Sequence, residues 1–210
     1  ITTTHEHLLI DFSCMFELPA NASEIFKAMQ PVSIENLGWT KYNPFRNRDN
    51  LLLLDEKLSI SEAKKFKRAG GGTIVDATTN GIGRDPLALS RIARATGLNI
   101  VMGAGYYVDS VHPDDMDGKT ETDLASEILS ELTEGVGDTG IKAGIIGELG
   151  CSWPLTDNER KVLCGAAAAQ SDSGASILIH PGRNDAAPME VLNLLRQSGA
   201  DLSRVIMGHL

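Results

Sequence analysis

Six short runs rich in aliphatic and β-branched residues recur along the chain, each parted from the next by a stretch with helical spacing. The runs are Thr2–Thr4, Thr73–Ala77, Asn99–Gly103, Ala143–Gly147, Ser176–Ile179 and Arg204–Met207. Segments such as Gly-Thr-Ile-Val-Asp-Ala and Ser-Ile-Leu-Ile are near-continuous β-rich runs, the mark of strands covered on both faces. Between them, Ser61–Arg68 carries Ala63 and Phe66 and stops at Gly70-Gly71-Gly72, while Pro86–Thr96 carries Leu87, Leu89, Ile92 and Ala93 and closes at Gly97. Thr122–Thr133 carries Leu124, Ile128, Leu129 and Leu132, and Pro188–Ser198 carries Val191, Leu192, Leu194 and Leu195. Asn158–Ser173 follows Thr156, with Glu159 placed to complete a capping box. Repeated β-α order implies a parallel sheet with right-handed crossovers.

Six strands and five helices predict an α/β fold, a (β/α)8 TIM barrel truncated after strand six. Complete barrels typically need about 250 residues, and this chain has 210. It opens at Ile1, already inside a strand, and closes at Leu210 with nothing behind the last strand, which reads as a fragment of one barrel domain spanning residues 1–210. A doubly wound open sheet is the competing fold. Its glycine-rich turn is lacking, because Gly103-Ala104-Gly105 runs into Tyr106 and Tyr107 without a third glycine. We read those glycines as tight packing. From about residue 10 to 60 a long connection carries Phe12, Phe16, Phe26, Trp39, Tyr42 and Phe45, too aromatic for a disordered loop. It is expected to be a lid-like insertion over the strand ends, with a surface decoration as the alternative.

The five ligand-type residues His5, His7, Glu148, His180 and His209 all stand at or just beyond the ends of apolar runs. That is the face where barrel active sites lie. Side chains at i and i+2 of a strand share a face, so His5 and His7 can aim at one ion. Taken singly, each has a plain structural reading: a hydrogen-bonded core histidine, or an ion-paired glutamate. Jointly they predict a centre for two divalent ions. Imidazole and carboxylate donors suit zinc, with Mn, Co or Ni as alternatives. A deeply buried Glu148 would be costly unless paired. His112, before Pro113, is expected at the surface or rim and not as a ligand.

Several motifs together resemble a known family. They are Thr-His-Glu-His-Leu at 4–8, Gly-Ile-Gly-Arg-Asp at 81–85, Gly-Ala-Gly-Tyr-Tyr-Val-Asp at 103–109, Gly-Ile-Ile-Gly-Glu-Leu-Gly-Cys-Ser-Trp-Pro-Leu at 144–155, Ile-His-Pro-Gly-Arg at 179–183 and Gly-His-Leu at 208–210. In order and over essentially the whole chain, they resemble the phosphotriesterase-related branch of the phosphotriesterase family, within the amidohydrolase superfamily. The resemblance implies that His5 and His7 hold the more buried ion, that Glu148 bridges, and that His180 and His209 hold the second. True phosphotriesterases and lactonases generally bridge with a carboxylated lysine. Glu148 stands there instead, which argues against phosphotriester hydrolysis. The family also implies a proton-accepting aspartate on strand eight, beyond the last residue here, so no catalytic base is visible in this sequence.

The implied chemistry is metal-assisted hydrolysis of an amide or ester carbonyl: an N-acyl amino acid such as N-acetyltaurine, or a lactone. Tyr107 aligns with a pocket-wall aromatic of the family. Arg183 is placed to meet an anionic substrate group, since a guanidinium matches carboxylate, sulfonate or phosphate; an exposed arginine or a salt bridge to Asp185 is its plainer reading. A TatD-like metal-dependent nuclease and a non-catalytic barrel or inert fragment are the alternatives. A net charge of −9 and the lack of a basic stripe disfavour nucleic acid. No apolar run approaches the roughly 18 residues of a membrane span. The expected partner is a small-molecule substrate, with a homodimer also open. Three cysteines without CxxC spacing point to a reduced, cytoplasmic setting.

Overall fold

A computed structural model describes all residues, 1–210. The elements in chain order are β1 (Thr2–Glu6), β2 (Ile10–Asp11), α1 (Ala22–Ala28), α2 (Leu37–Tyr42), β3 (Leu52–Leu53), α3 (Glu56–Arg68), β4 (Thr73–Asp76), α4 (Pro86–Thr96), β5 (Asn99–Ala104), α5 (Glu121–Thr133), β6 (Ile145–Gly150), α6 (Asp157–Ser173), β7 (Ile177–His180), α7 (Ala187–Gln197) and β8 (Val205–Met207). Six strands form one parallel sheet in the order β1-β4-β5-β6-β7-β8, an open portion of a barrel. Helices α3 to α7 cover its outside. No helix is long and apolar enough to cross a membrane.

Helices α3 to α6 start where side chains satisfy free backbone N–H groups. Asp55 and Asp85 cap α3 and α4, the latter with Pro86 at its first turn. Thr120 with Asp123, and Thr156 with Glu159, form capping boxes for α5 and α6. Their apolar faces close a core around Ile74, Leu89, Ile92, Leu124, Ile128, Ile146, Leu163, Ile177, Val191 and Leu195.

From β5 through β6 to β7 the backbones come closer than side chains allow. A Cβ on Gly103 would overlap the carbonyl oxygen of Gly147, and a Cβ on Gly147 would overlap that of Leu178. Gly147 also takes a φ of 108°, open chiefly to glycine. The neighbouring Gly-Ile-Gly-Arg-Asp segment serves this region. Its Arg84 donates to the Gly103 carbonyl at 2.9 Å and bidentately to Glu131 at 2.7 and 2.5 Å. Glu131 in turn accepts from the Gly105 N–H at 3.2 Å. This buried pair locks β5 to α5.

Residues 10–60 fold into the antiparallel β2/β3 pair with α1 and α2 between them. Buried Asn47 organises the segment: its amide donates to the Lys27 and Gln30 carbonyls, both at 3.0 Å, and its oxygen accepts from Asn50 N–H at 2.9 Å.

The strand limits differ from the sequence expectation at the site end. β1 runs on to Glu6 and β6 to Gly150, so His5 and Glu148 lie inside strands and not beyond them. The ladders continue because β4 and β7 supply partners there: Ala77 N–H bonds to the Glu6 carbonyl at 2.8 Å, and Gly150 pairs with His180.

The Gly103 contact predicts a graded response. Gly103→Ala, which strikes backbone, lowers stability by about 3 kcal/mol. Gly144→Ala meets only the Val101 side chain, at 2.8 Å, and costs clearly less. Urea unfolding midpoints of the two variants measure the difference.

Candidate metal centre

The five ligand-type residues converge at the C-terminal edge of the sheet. His5 lies in β1 and His7 just past it, Glu148 in β6, His180 at the last position of β7, and His209 two residues past β8. Glu148 is the hub, with 1% of its surface exposed. Its two oxygens face different pairs. Oε2 lies 3.4 Å from His5 Nε2 and 3.8 Å from His7 Nε2. Oε1 lies 3.0 Å from His180 Nδ1 and 2.8 Å from His209 Nε2. Donor atoms of His5, Glu148 and His209 all fall within 4.8 Å of one another, a group able to hold a metal ion. His209 adopts a φ of 55°, the left-handed region that a non-glycine residue enters only under constraint.

The electrostatics follow from this packing. Burial works to raise the Glu148 pKa, but hydrogen bonds from His180 and His5 outweigh it and hold the carboxyl well below its usual range. The same hydrogen bond to Glu148 raises the His5 pKa above its ordinary 6.5, against the effect of burial. His7 goes the other way: burial pushes it down to about 4, with the neighbouring histidines adding to the effect. The cluster thus combines one fixed anion with imidazoles of unequal basicity, donors of the kind that divalent ions take.

The tautomer of His7 is set by its neighbour. Thr78 Oγ1 stands 3.0 Å from His7 Nδ1 and 3.1 Å from the Leu9 carbonyl oxygen. The carbonyl can only accept, so the single hydroxyl proton goes there. The Thr78 oxygen must then accept from His7 Nδ1–H, which leaves the Nε2 lone pair aimed at the centre. Asp76 fixes the turn behind it. Fully buried, it accepts from Leu8 N–H at 2.7 Å and Thr78 N–H at 3.1 Å, and burial pushes its pKa up to about 6. Neither residue was singled out from sequence. The polar run Asp76-Ala77-Thr78-Thr79 directly after an apolar strand was the signal that marks them.

Tyr107 lies beside the centre, its hydroxyl 3.2 Å from His180 Nδ1. Burial, reinforced by the charge on Glu148, keeps the phenol protonated far above its usual range. Arg183 is exposed at the rim. Ion pairs of the arginines belong to Arg46, Arg84, Arg91, Arg160 and Arg204, so the contact with Asp185 weighed from sequence is not made. His112 corrects the expectation of a surface position: its side chain is 3% exposed. Its Nε2 bonds to the Tyr107 carbonyl at 2.8 Å, cinching the loop that presents Tyr107. The loop closes because His112 folds back beneath it and packs edge-on to Tyr106.

A cavity of about 300 Å³ opens onto the cluster. One side carries His7, Tyr107, Glu148, His180 and His209; the facing side is Ile10, Phe12 and Leu51–Leu53 of the β2/β3 region, with Arg183 at the edge.

The model of the phosphotriesterase family matches residues 1–210. The chain is 46% identical over 210 residues to the N-acetyltaurine hydrolase of Xenopus tropicalis, covering 100% of this chain and 60% of that one. It is 45% identical over 210 residues to the N-acetyltaurine hydrolase of Salmo salar, with the same coverage, 100% and 60%. Among solved structures it is similar to a resiniferatoxin-binding protein from Rhodobacter sphaeroides, at 41% identity and a TM-score of 0.96, covering 99% of this chain and 58% of that one. The chain therefore spans about 60% of the length of these curated relatives.

The Thr78 contact predicts a specific defect. Thr78→Val keeps the shape and removes the acceptor, and zinc affinity falls about 10- to 100-fold in chelator competition. In the metal-free protein, long-range ¹H–¹⁵N spectra should show His7 as the Nδ1–H tautomer, neutral until the pH falls to about 4. A His7 that titrates near 6.5 in Thr78-intact protein would contradict this geometry.

Proposed function

The chain belongs to the phosphotriesterase family, and on that premise we propose that it forms most of the active site of a binuclear metal-dependent hydrolase that cleaves the amide bond of N-acyl amino acids such as N-acetyltaurine. The observation that carries this reading is the division of Glu148: one oxygen turned to His5 and His7, the other to His180 and His209. A carboxylate so placed could serve two ions. His5 and His7 would hold one, His180 and His209 the other, with zinc the natural occupant. When bound, the ions supply a water deprotonated near neutral pH and polarise the scissile carbonyl.

The chain's own residues account for the rest. Glu148, held ionised, keeps the two histidine pairs in register. Tyr107, held protonated, offers an O–H to an oxygen beside His180. Residues 10–60 act as the lid, and the apolar side chains Ile10, Phe12 and Leu51–Leu53 exclude water from the reacting carbonyl. Arg183 receives the anionic end of the substrate by a charge-assisted hydrogen bond. In the overall reaction water adds to the acyl carbon, the C–N bond breaks, and the amine leaves with a proton. The hydrolase activity named for the relatives at 45–46% identity supports this reading.

Two measurements test it. Metal analysis of the purified protein should find two divalent ions per chain, lost in Glu148→Ala. In an assay panel of N-acetyltaurine, lactones and phosphotriesters, N-acetyltaurine should be turned over best. Arg183→Ala should raise its KM about 10- to 100-fold, the worth of one charge-assisted hydrogen bond, and leave a neutral lactone little changed. Preferred turnover of a phosphotriester, or an equal effect of Arg183→Ala on charged and neutral substrates, would refute the assignment.

A further inference from the structure

We propose that the outward face shared by α3 and α4 is a docking site for a short acidic segment of a partner protein. It lies on the helical layer outside the sheet, apart from the Glu148 cluster.

The two helices hold seven of the chain's 19 Lys and Arg but two of its 28 Asp and Glu, in a protein of net charge −9. Helical spacing sorts these cations by face. Lys57, Ser61, Lys64 and Arg68 follow one another at i, i+4, i+7 and i+11, so they form one exposed stripe along α3. Ser59 and Ala63 point away from it and are buried. On α4, Leu87, Arg91 and Arg94 share an exposed face, away from buried Ala88, Leu89 and Ile92. Two contacts set the helices side by side. Arg91 Nη2 pairs with Glu56 Oε2 at 2.8 Å, and Lys67 Nζ donates to the Gly97 carbonyl at 2.9 Å. The stripe and the Arg91/Arg94 face therefore flank one seam. Ion pairs on these helices are Arg91–Glu56 and Lys65–Glu62, so Lys57, Lys64, Arg68 and Arg94 pair with no carboxylate.

The helix dipole accounts for part of this charge. Lys65, Lys67 and Arg68 in the last turn of α3 complement its C-terminal partial charge. Lys57 stands in the first turn, where the same field disfavours a cation, and Arg91 stands mid-helix. Along the chain the cations are split by Glu62 and by the connection to α4, which is why the sequence alone shows no basic stripe. Packing of the two helices assembles one.

Dimensions and charge choose the occupant. Lys57 to Arg68 spans about 16 Å at a rise of about 1.5 Å per residue, the length of about five extended residues. Duplex nucleic acid or an anionic bilayer reaches well past that span. It would meet the acidic remainder of the surface, within range at a Debye length of about 8 Å. A short acidic segment covers the stripe alone. Leu87, 52% exposed at the start of α4, offers it an apolar contact.

The test follows the anisotropy of fluorescein-labelled hexaglutamate with the full chain at low salt. Binding should saturate, and should weaken as added salt screens it. The variant Lys57→Glu/Lys64→Glu/Arg68→Glu should bind about 10- to 100-fold more weakly, the scale of three exposed charge pairs, with its circular dichroism unchanged. Replacing the same three residues by Gln should give a smaller loss, and carries the test if the charge reversal fails to fold. A second variant, Lys41→Glu/Lys142→Glu/Arg196→Glu, makes the same change in net charge at exposed positions off the stripe and should bind nearly as the parent does. No saturable binding, or an equal loss in the two reversed variants, overturns the proposal. Tighter binding of a short DNA duplex or of phosphatidylserine vesicles, at equal charge concentration, overturns the assignment to an acidic peptide.

Discussion

Everything at the open end of this sheet is organised around one buried negative charge. An isolated carboxylate taken out of water costs several kcal/mol even after relaxation. Glu148 is almost wholly enclosed, yet it stays ionised because four imidazoles surround it within 3.8 Å. The histidines come from β1, β7 and the residues past β8, while the glutamate comes from β6 between them in the sheet. The charge is therefore satisfied only when strands distant in sequence have closed into one curved sheet. Fold and site are a single requirement here: the glycine contacts that bring the backbones of β5, β6 and β7 together flank the residue that carries the carboxylate.

Around that centre, buried polar side chains take the place of an apolar core as the means of fixing loops. Asp76 joins the exit of β1 to the exit of β4. Arg84 and Glu131 join β5 to α5. Glu159 gathers the backbone of Asp109, Ser152 and Thr156 onto the start of α6. Each uses both carboxylate oxygens, or both terminal guanidinium nitrogens. Loops held this way keep side chains such as His7 and Trp153 in set positions, which a centre of converging ligands requires.

Much of this was legible in the amino-acid sequence, for reasons that differ by element. Periodicity marks strand and helix because it reports which faces are buried, and Pro86–Thr96 reads directly because its proline and glycine punctuate both ends. The five ligand-type residues stand out because such residues rarely sit at the ends of buried strands. The exact ends of β1 and β6 did not show, since whether a histidine or glutamate continues a ladder depends on a partner strand far away in sequence. His112 was misplaced for a related reason: before a proline, in a polar loop, it has the local look of a surface residue, and only the fold-back onto the Tyr107 carbonyl buries it. Asp76 and Glu159 accept from backbone N–H groups of other segments, and Thr78 bonds the His7 ring and the Leu9 carbonyl; the polar residues at 76–79 and the capping box at 156–159 show in the chain, but these distant partners do not.

The long insertion after β1 completes the physical logic of the site. A cluster of one anion and four imidazoles open to bulk water would have its field screened, whereas a low-dielectric wall strengthens every interaction inside. Ile10, Phe12 and Leu51–Leu53 supply that wall, and the Phe12 ring lies 5.7 Å from Tyr107 and 6.5 Å from Phe45. The wall is apolar on the side facing the cavity and is braced by the Asn47 hydrogen bonds behind it. An insertion of this length costs little in loop-closure entropy, which grows only slowly with length. What holds it in place is the burial of a few aromatic and leucine side chains against the strand ends. The same residues that anchor the segment thus line the apolar side of the cavity, so its placement and the shape of the space beside the cluster depend on one set of contacts.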